Sequence, residues 1–496
     1  MALHRTLTAA IAAVVLLLVP VRPCAALAVL STSPATNATN VARTGAITIT
    51  FDRAVIPATV DNTNLRIWGR SSGPVPVTAA WSGGNTVLTL SHAAPFFPGE
   101  RISLQLARFI QAGDATTLRN AGYSFQFTVA APAASMQFTL IDTVSVRTSA
   151  AITRLYGGAV ADFNRDGWID YVAINEVSAD LRVLLNRADG SGLLGPVLLP
   201  PRAIGQEASP HQAADFDNDG YMDMATSNTS SNTVSVVLGN GDGTFDPQQS
   251  IAVGTTPHGI AALDVDGDGD LDLVNANQSS NNLTLMRNNG AGVFGAATTF
   301  ESGGNAEYAL AAGDMDNDGI LDLVAGTRND MQVHVLHGNG DGTFTNVSSR
   351  GGLGYAWMIQ LGDLNNDGRL DVSMANGQQN NGVVMLGNGN GTLQAATSYP
   401  FGGSMVGTDL GDMDGDGDLD WVVSSFGASR WYVLRNNGAG SFTPMGEFPA
   451  PSNGSCASLY DFDNDGDLDM ALADETADVI LLYRNGASVL FSNGFE

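Results

Sequence analysis

The sequence predicts an all-β chain, a small β-sandwich followed by a ring of seven four-stranded sheets, and three observations carry that prediction. One acidic loop, D-x-[DN]-x-D-G-x-x-D, recurs seven times, from Asp162, Asp215, Asp264, Asp314, Asp363, Asp412 and Asp461, at intervals of 53, 49, 50, 49, 49 and 49 residues. Such a period marks an array of like structural units. Each loop is followed by short apolar runs and a glycine-rich turn of one kind. Residues 29–131 lack the loop and instead alternate apolar with polar positions.

At the N-terminus, His4 and Arg5 precede an apolar run over residues 9–19, too short for a membrane span, and Ala26, Leu27 and Ala28 give a small-x-small cleavage pattern. Residues 1–28 therefore read as a cleaved export signal, with Val29 opening a chain that is secreted or held at the cell surface. Arg22 and Pro23 stand where a lipid-anchor motif at Cys24 would carry small residues. Without the signal only Cys456 remains, so no intrachain disulfide can form, and Cys456 reads as a buried packing residue.

Residues 29–131 show period-2 patterning at Ile47, Ile49 and Phe51, at Val87, Leu88 and Leu90, at Ile102, Leu104 and Leu106, and at Phe125 and Phe127. Short alternating strands over that length predict a β-sandwich. Residues 132–136, within the small-residue stretch Ala130-Ala-Pro-Ala-Ala-Ser135, read as the linker.

The repeats occupy residues 137–490. Carboxylates at positions 1, 3 and 5 of a tight turn can converge on one hard cation, with Gly at position 6 for the bend and an acid at position 9 to close the shell. Those positions are Asp162, Asn164, Asp166 and Asp170; Asp215, Asp217, Asp219 and Asp223; Asp264, Asp266, Asp268 and Asp272; Asp314, Asp316, Asp318 and Asp322 in the first four copies. In the last three they are Asp363, Asn365, Asp367 and Asp371; Asp412, Asp414, Asp416 and Asp420; Asp461, Asp463, Asp465 and Asp469. Up to seven structural Ca²⁺ are expected. The acid at position 9 and the apolar runs after it separate these loops from helix-flanked EF-hands, whose last acid stands at position 12. Positions 2 and 8 are apolar throughout and should pin each turn to a core. Turns such as Leu238-Gly-Asn-Gly-Asp-Gly-Thr-Phe245 and Arg435-Asn-Asn-Gly-Ala-Gly-Ser-Phe442 are strong hairpin signals. Four strands per unit match a propeller blade, and seven blades close a ring. Gln137 to Val146 is expected to supply the outer strand of the last blade, since an unpaired edge invites aggregation. The ending, residues 491–496, reads as a tail.

On these residues residues 137–490 resemble the FG-GAP repeats of integrin α-subunit propellers and the related bacterial VCBS repeats. That resemblance implies a seven-bladed propeller with calcium between the first two strands of each blade. Ser33-Pro34, the stretch Ala46 to Asp52, Asn85 to Leu90 and Tyr123 to Phe127 resemble bacterial Ig-like domains of surface-layer proteins, which implies a spacer or attachment module.

The formal charge is -28 and every basic residue is Arg. Most of the acidity lies in the loops, so nucleic acid is excluded as a partner. No catalytic constellation is visible among six His; His334 and His337 should face opposite sides of a strand. Six residues before each first Asp, at the far end of the innermost strand, stand Tyr156, His258, Tyr308 and Trp357 in blades one, three, four and five. These aromatics could line a funnel and stack on a sugar or receive a peptide, or could pack between blades. The expected function is a monomeric, calcium-stabilised binding or adhesion protein that recognises a glycan or protein ligand, with no transmembrane segment and no enzyme activity. The alternative is a polysaccharide lyase working in the funnel. The Ig-like domain is expected to be indifferent to calcium.

Overall fold

The computed structural model describes residues 25–486. The basic and apolar segments read above as an export signal, Cys24 and the tail lie outside the described residues. Among the described residues no helix is long and apolar enough to cross a membrane.

The N-terminal sandwich follows its alternation. One antiparallel sheet runs Val29–Ser33, Ile47–Phe51, Val87–His92, Val77–Ser82, and the other runs Gly73–Pro74, Leu65–Gly69, Arg101–Leu106, Tyr123–Thr128. Ile47, Ile49, Phe51, Leu88 and Leu90 of the first meet Ile102, Leu104, Phe125 and Phe127 of the second in one buried cluster. The sandwich starts earlier than residue 29. Leu27 is fully buried in that cluster and its N–H donates to the Thr117 carbonyl at 2.9 Å. The small-x-small pattern overlaps the first strand's lead-in, so cleavage after Ala28 would empty a core position.

Seven four-stranded antiparallel sheets follow among the described residues. Their innermost strands are Leu155–Ala161, Ala208–Ala214, Pro257–Leu263, Glu307–Gly313, Ala356–Gly362, Met405–Gly411 and Gly454–Tyr460. Each touches the next, and the last touches the first, so the sheets close into a propeller ring. The second strands, such as Asp272–Asn277 and Asp322–Thr327, are buried along their whole length because a blade covers each face. That explains runs of consecutive apolar residues without alternation.

The recurrent glycine turn has an interblade role. In successive blades the N–H of Gly243, Gly292, Gly342 and Gly391 donates to the position-2 carbonyl of the preceding blade's loop, on Phe163, Phe216, Val265 and Met315. Phe163 also packs edge-on against Phe245, and Phe216 against Phe294. Position 2 thus pins the loop to the neighbouring blade.

Ring closure comes from the segment ahead of the first blade. Thr139–Ser145 pairs with Val479–Arg484 in register from Ser145↔Val479 to Thr139↔Arg484. Val146, Leu155 and Tyr171 then share a core with Tyr460, Phe462 and Ile480. Deleting residues 137–146 removes the outer strand and the fully buried Val146, a loss of at least about 2 kcal/mol for that side chain alone. Melting and light scattering should show a lower transition and aggregation through the bared Val479–Arg484 edge; unchanged melting and solubility would contradict this closure.

Candidate metal loops and the two ends of the channel

Each loop is built on two left-handed backbone positions. Position 4 has φ near +60° (Arg165, Asn218, Asn317, Asn366, Asn464) or is Gly267 or Gly415, and the position-6 glycine ranges from +77° to +108°. Asn and Gly tolerate that region best, which accounts for both positions. The bend turns the backbone N–H groups inward. The position-6 N–H donates to Oδ2 of the position-1 Asp at 2.7–3.0 Å in all seven loops.

The acid at position 9 serves as a strut. Its Oδ2 accepts the N–H of position 2 at 2.7–3.3 Å in every blade. Its Oδ1 accepts an N–H sixteen residues later, at the start of the hairpin turn, at 2.6–2.9 Å. Asp170, Asp223, Asp322, Asp371, Asp420 and Asp469 are fully buried in this role and Asp272 is nearly so. The sequence reading gave this residue only a ligand role; the structural role follows from backbone donors that a sequence does not display.

The loops suit a hard dication. In loops two, three, four and six, three carboxylates each bring one oxygen within 4.8 Å of the others. Burial, with neighbouring carboxylates, raises Asp264, Asp314 and Asp461 to about 7 and Asp215 and Asp412 to about 6. In the seventh loop Asp461 is 6% exposed and its Oδ1 has no protein partner. Crowded, half-desolvated carboxylates of this kind need a compensating positive charge, and an all-oxygen donor set favours calcium over softer metals.

One position beside the loops escaped the sequence reading. The residue opening the hairpin turn reaches the position-3 acid. Arg287 pairs with Asp266, Arg484 with Asp463 at 2.6 Å and Arg435 with Asp414 at 3.9 Å. In the fourth blade it is His337, whose Nδ1 lies 3.2 Å from Asp316 and 3.3 Å from Asp322. His334, three residues earlier on the strand, is buried against Ser349. Blades one, two and five carry Leu185, Leu238 and Leu386 there, so the loops differ in the charge already facing them.

The Ig-like domain covers the loop end of the ring and touches all seven loops. Ser71 accepts the Asp162 N–H, and Gly73 packs on Met222. Arg108 donates from its backbone to Gly267 and from its side chain to the Asp266 carbonyl, while Gln105 bonds Asp264. Ser124 donates to Gly319, Asn37 to Gly368, and Asn40 abuts Gly417. Gly99 packs on Leu468, and the linker's Ala134 donates to the Asp414 carbonyl. An independent spacer is therefore the wrong picture: the sandwich rests on the loops.

At the opposite end, Tyr156, His258, Tyr308 and Trp357 do come together. His258 stacks on Tyr308 with ring centroids 3.8 Å apart, Trp357 stands 5.2 Å from Tyr308, and Trp357 Nε1 donates to the Tyr156 hydroxyl at 3.2 Å. Blades two, six and seven place Ser209, Val406 and Ser455 at the equivalent position, which leaves room for the rings to fill the channel. Tyr156, His258 and Tyr308 are buried and Trp357 alone keeps part of its surface. Burial holds His258 down to about 3, so it stays neutral inside the stack. Around this plug stand Arg328, over the Tyr308 and Tyr355 rings, and Arg154, whose Nε meets Glu475 at 2.7 Å and Glu176 at 3.0 Å. Burial, and the Glu475 charge beside it, lift Glu176 to about 8.

Comparison with known proteins agrees with the repeat. FG-GAP-like repeats match residues 162–226, 215–275, 264–325, 314–374, 363–423 and 412–472, six overlapping windows that between them contain all seven loops. A bacterial Ig-like domain matches residues 24–129, in keeping with a sandwich that includes Leu27. No curated protein matches the sequence at a significant level. Among solved structures, BBS1N in complex with ARL6DN is similar at 10% identity, covering 71% of this chain and 98% of that one with a TM-score of 0.49. An Agrocybe aegerita lectin, described as recognising non-reducing terminal N-acetylglucosamine, is similar at 18% identity, 91% and 100% coverage and a TM-score of 0.44. A protein from Lactobacillus plantarum is similar at 14% identity, 79% and 98% coverage and a TM-score of 0.47. With its loops, hairpin turns and period all accounted for, the chain belongs to the FG-GAP-like repeat family and carries a bacterial Ig-like domain ahead of the repeats.

Proposed function

We propose that this is an exported, calcium-stabilised binding protein that recognises a glycan or protein ligand through the propeller face opposite the loops. The carrying observation is the allocation of the two faces. The Ig-like domain occupies the loop face, which leaves the partly exposed Trp357, with Arg328, Arg154, Glu176 and Glu475 around it, as the open one. An aromatic edge beside charged and hydrogen-bonding groups suits a sugar or a polar peptide. A lyase would need a base at the ligand, and His258 lies inside the stack at 3% exposure, so its position favours binding over chemistry.

Calcium at the loops is taken as structural, seven sites at most. A site occupied at ten times its dissociation constant adds about 1.4 kcal/mol, so seven equivalent sites contribute on the order of 10 kcal/mol. That is comparable to a domain's whole net stability. Chelator titration followed by calorimetry should lower the melting of the propeller and of the Ig-like domain together, Ca²⁺ should restore both, and Mg²⁺ should substitute poorly. Melting insensitive to chelator, with fewer than about four Ca²⁺ per chain by elemental analysis, would remove the calcium assignment.

Glycan and peptide arrays test the binding face. Trp357→Ala should cut binding per folded molecule at least tenfold and lower the melting temperature less than loss of a fully enclosed ring does. Tyr308→Ala, at a 6% exposed ring stacked on His258, should instead cost about 3 to 5 kcal/mol of stability. Full binding by folded Trp357→Ala protein would place the ligand elsewhere.

A further inference from the structure

Between the aromatic plug and the Ig-like domain the channel is a cavity of about 240 Å³. A side cavity of about 40 Å³ adjoins it, and Asn37, Arg70, Arg101, Gln126, Gln360 and Asp409 line both. The charges there do not balance. Arg70 pairs with Asp409 through two bonds of 2.8 and 3.1 Å, and Asp409 also accepts the Leu410 and Leu459 N–H groups at 3.0 Å. Its acceptor capacity is thereby taken. Arg101 has no ion pair and no side-chain hydrogen bond among the described residues, and the Gln360 amide has no hydrogen bond either. Burial, with the Arg70 charge nearby, pulls Arg101 down to about 10. Burial likewise holds His211, on the same wall, to about 4 and uncharged. The other acid lining the cavity, Asp314, belongs to the fourth loop, where its oxygens accept the Asp318 and Gly319 N–H groups.

A guanidinium enclosed without a partner is costly. Its planar fork of donors matches the oxygens of a carboxylate or an oxyanion. The rest of the wall is mixed: Trp68, Val160, Ile260 and Ile359 can take a short hydrocarbon body, beside polar Ser103, Gln212, Thr408 and Ser458.

We propose that Arg101, assisted by Gln126 and Gln360, seats one small anion, an inorganic oxyanion or a small carboxylate, at the junction of the Ig-like domain and the propeller. Arg101 and Gln126 come from the sandwich and Gln360 from the fifth blade, so the anion ties the two domains together from inside the channel.

The test uses the whole calcium-loaded chain. Thermal melting is followed against acetate and against selenate at constant ionic strength, with the bulky HEPES sulfonate as balancing anion. Wild type should show a saturable rise of a few degrees, and whichever anion saturates at lower concentration distinguishes carboxylate from oxyanion. Arg101→Met should melt at or above wild type in HEPES alone, since it removes an unpaired buried charge, and should lose the response. A wild type without a saturable response, or an Arg101→Met protein that keeps it, overturns the proposal. Anomalous diffraction from wild-type crystals grown in selenate gives a reading independent of any variant. A selenium peak between Arg101 and Gln360 supports the site, and water alone there overturns it.

Discussion

The structure depends on how seven clusters of carboxylates at one end of a ring find positive charge. Each loop buries its position-9 acid, and five of the seven bury the position-1 acid, to fix a bend and to anchor the next turn; burial makes those acids hard to ionise. Metal can supply the missing charge at every loop. The protein supplies some at particular loops: Arg287 and Arg108 at the third, Arg435 at the sixth, Arg484 at the seventh. Loops one and two, with leucine at the hairpin position and no ion pair to a loop acid among the described residues, rely most on a cation, whereas Arg369 stands 3.5 Å from Asp367 in the fifth.

The same loops carry a second load, since the Ig-like domain sits on their backbone carbonyls. Gly267, Gly319 and Gly368 accept hydrogen bonds from it at positions whose geometry the bend sets. A loop that relaxed without cation would move those acceptors. On the proposed calcium assignment, cation, loop shape and domain docking form one linked equilibrium. The Ig-like domain covers one propeller face, and Trp357 stands on the other.

Much of this was legible in the sequence. The acidic loops, the period and the apolar positions 2 and 8 are local signals, and Thr139–Ser145 could be placed in the last blade because an open edge is costly. The sandwich core followed from alternation at Ile47, Ile49, Leu88 and Leu90. What stayed hidden depends on distant parts meeting. His337 joins Asp316 through a strand pairing, and Gln105 and Arg108 reach the third loop from another domain. The aromatic residues were found by position, yet only the assembled ring shows that small residues in three blades let them collapse into a plug. Leu27 was misplaced because a signal-like pattern coincides with a core position.

The linked equilibrium is tested most directly by amide hydrogen exchange with and without chelator, read by mass spectrometry at peptides of both domains. The account predicts that chelation exposes the position-6 glycine amides and, in the same step, the Asp162, Arg108 and Ser124 amides that join the Ig-like domain to the loops. Exposure confined to the loops, with protection at Arg108 and Ser124 retained, would contradict it.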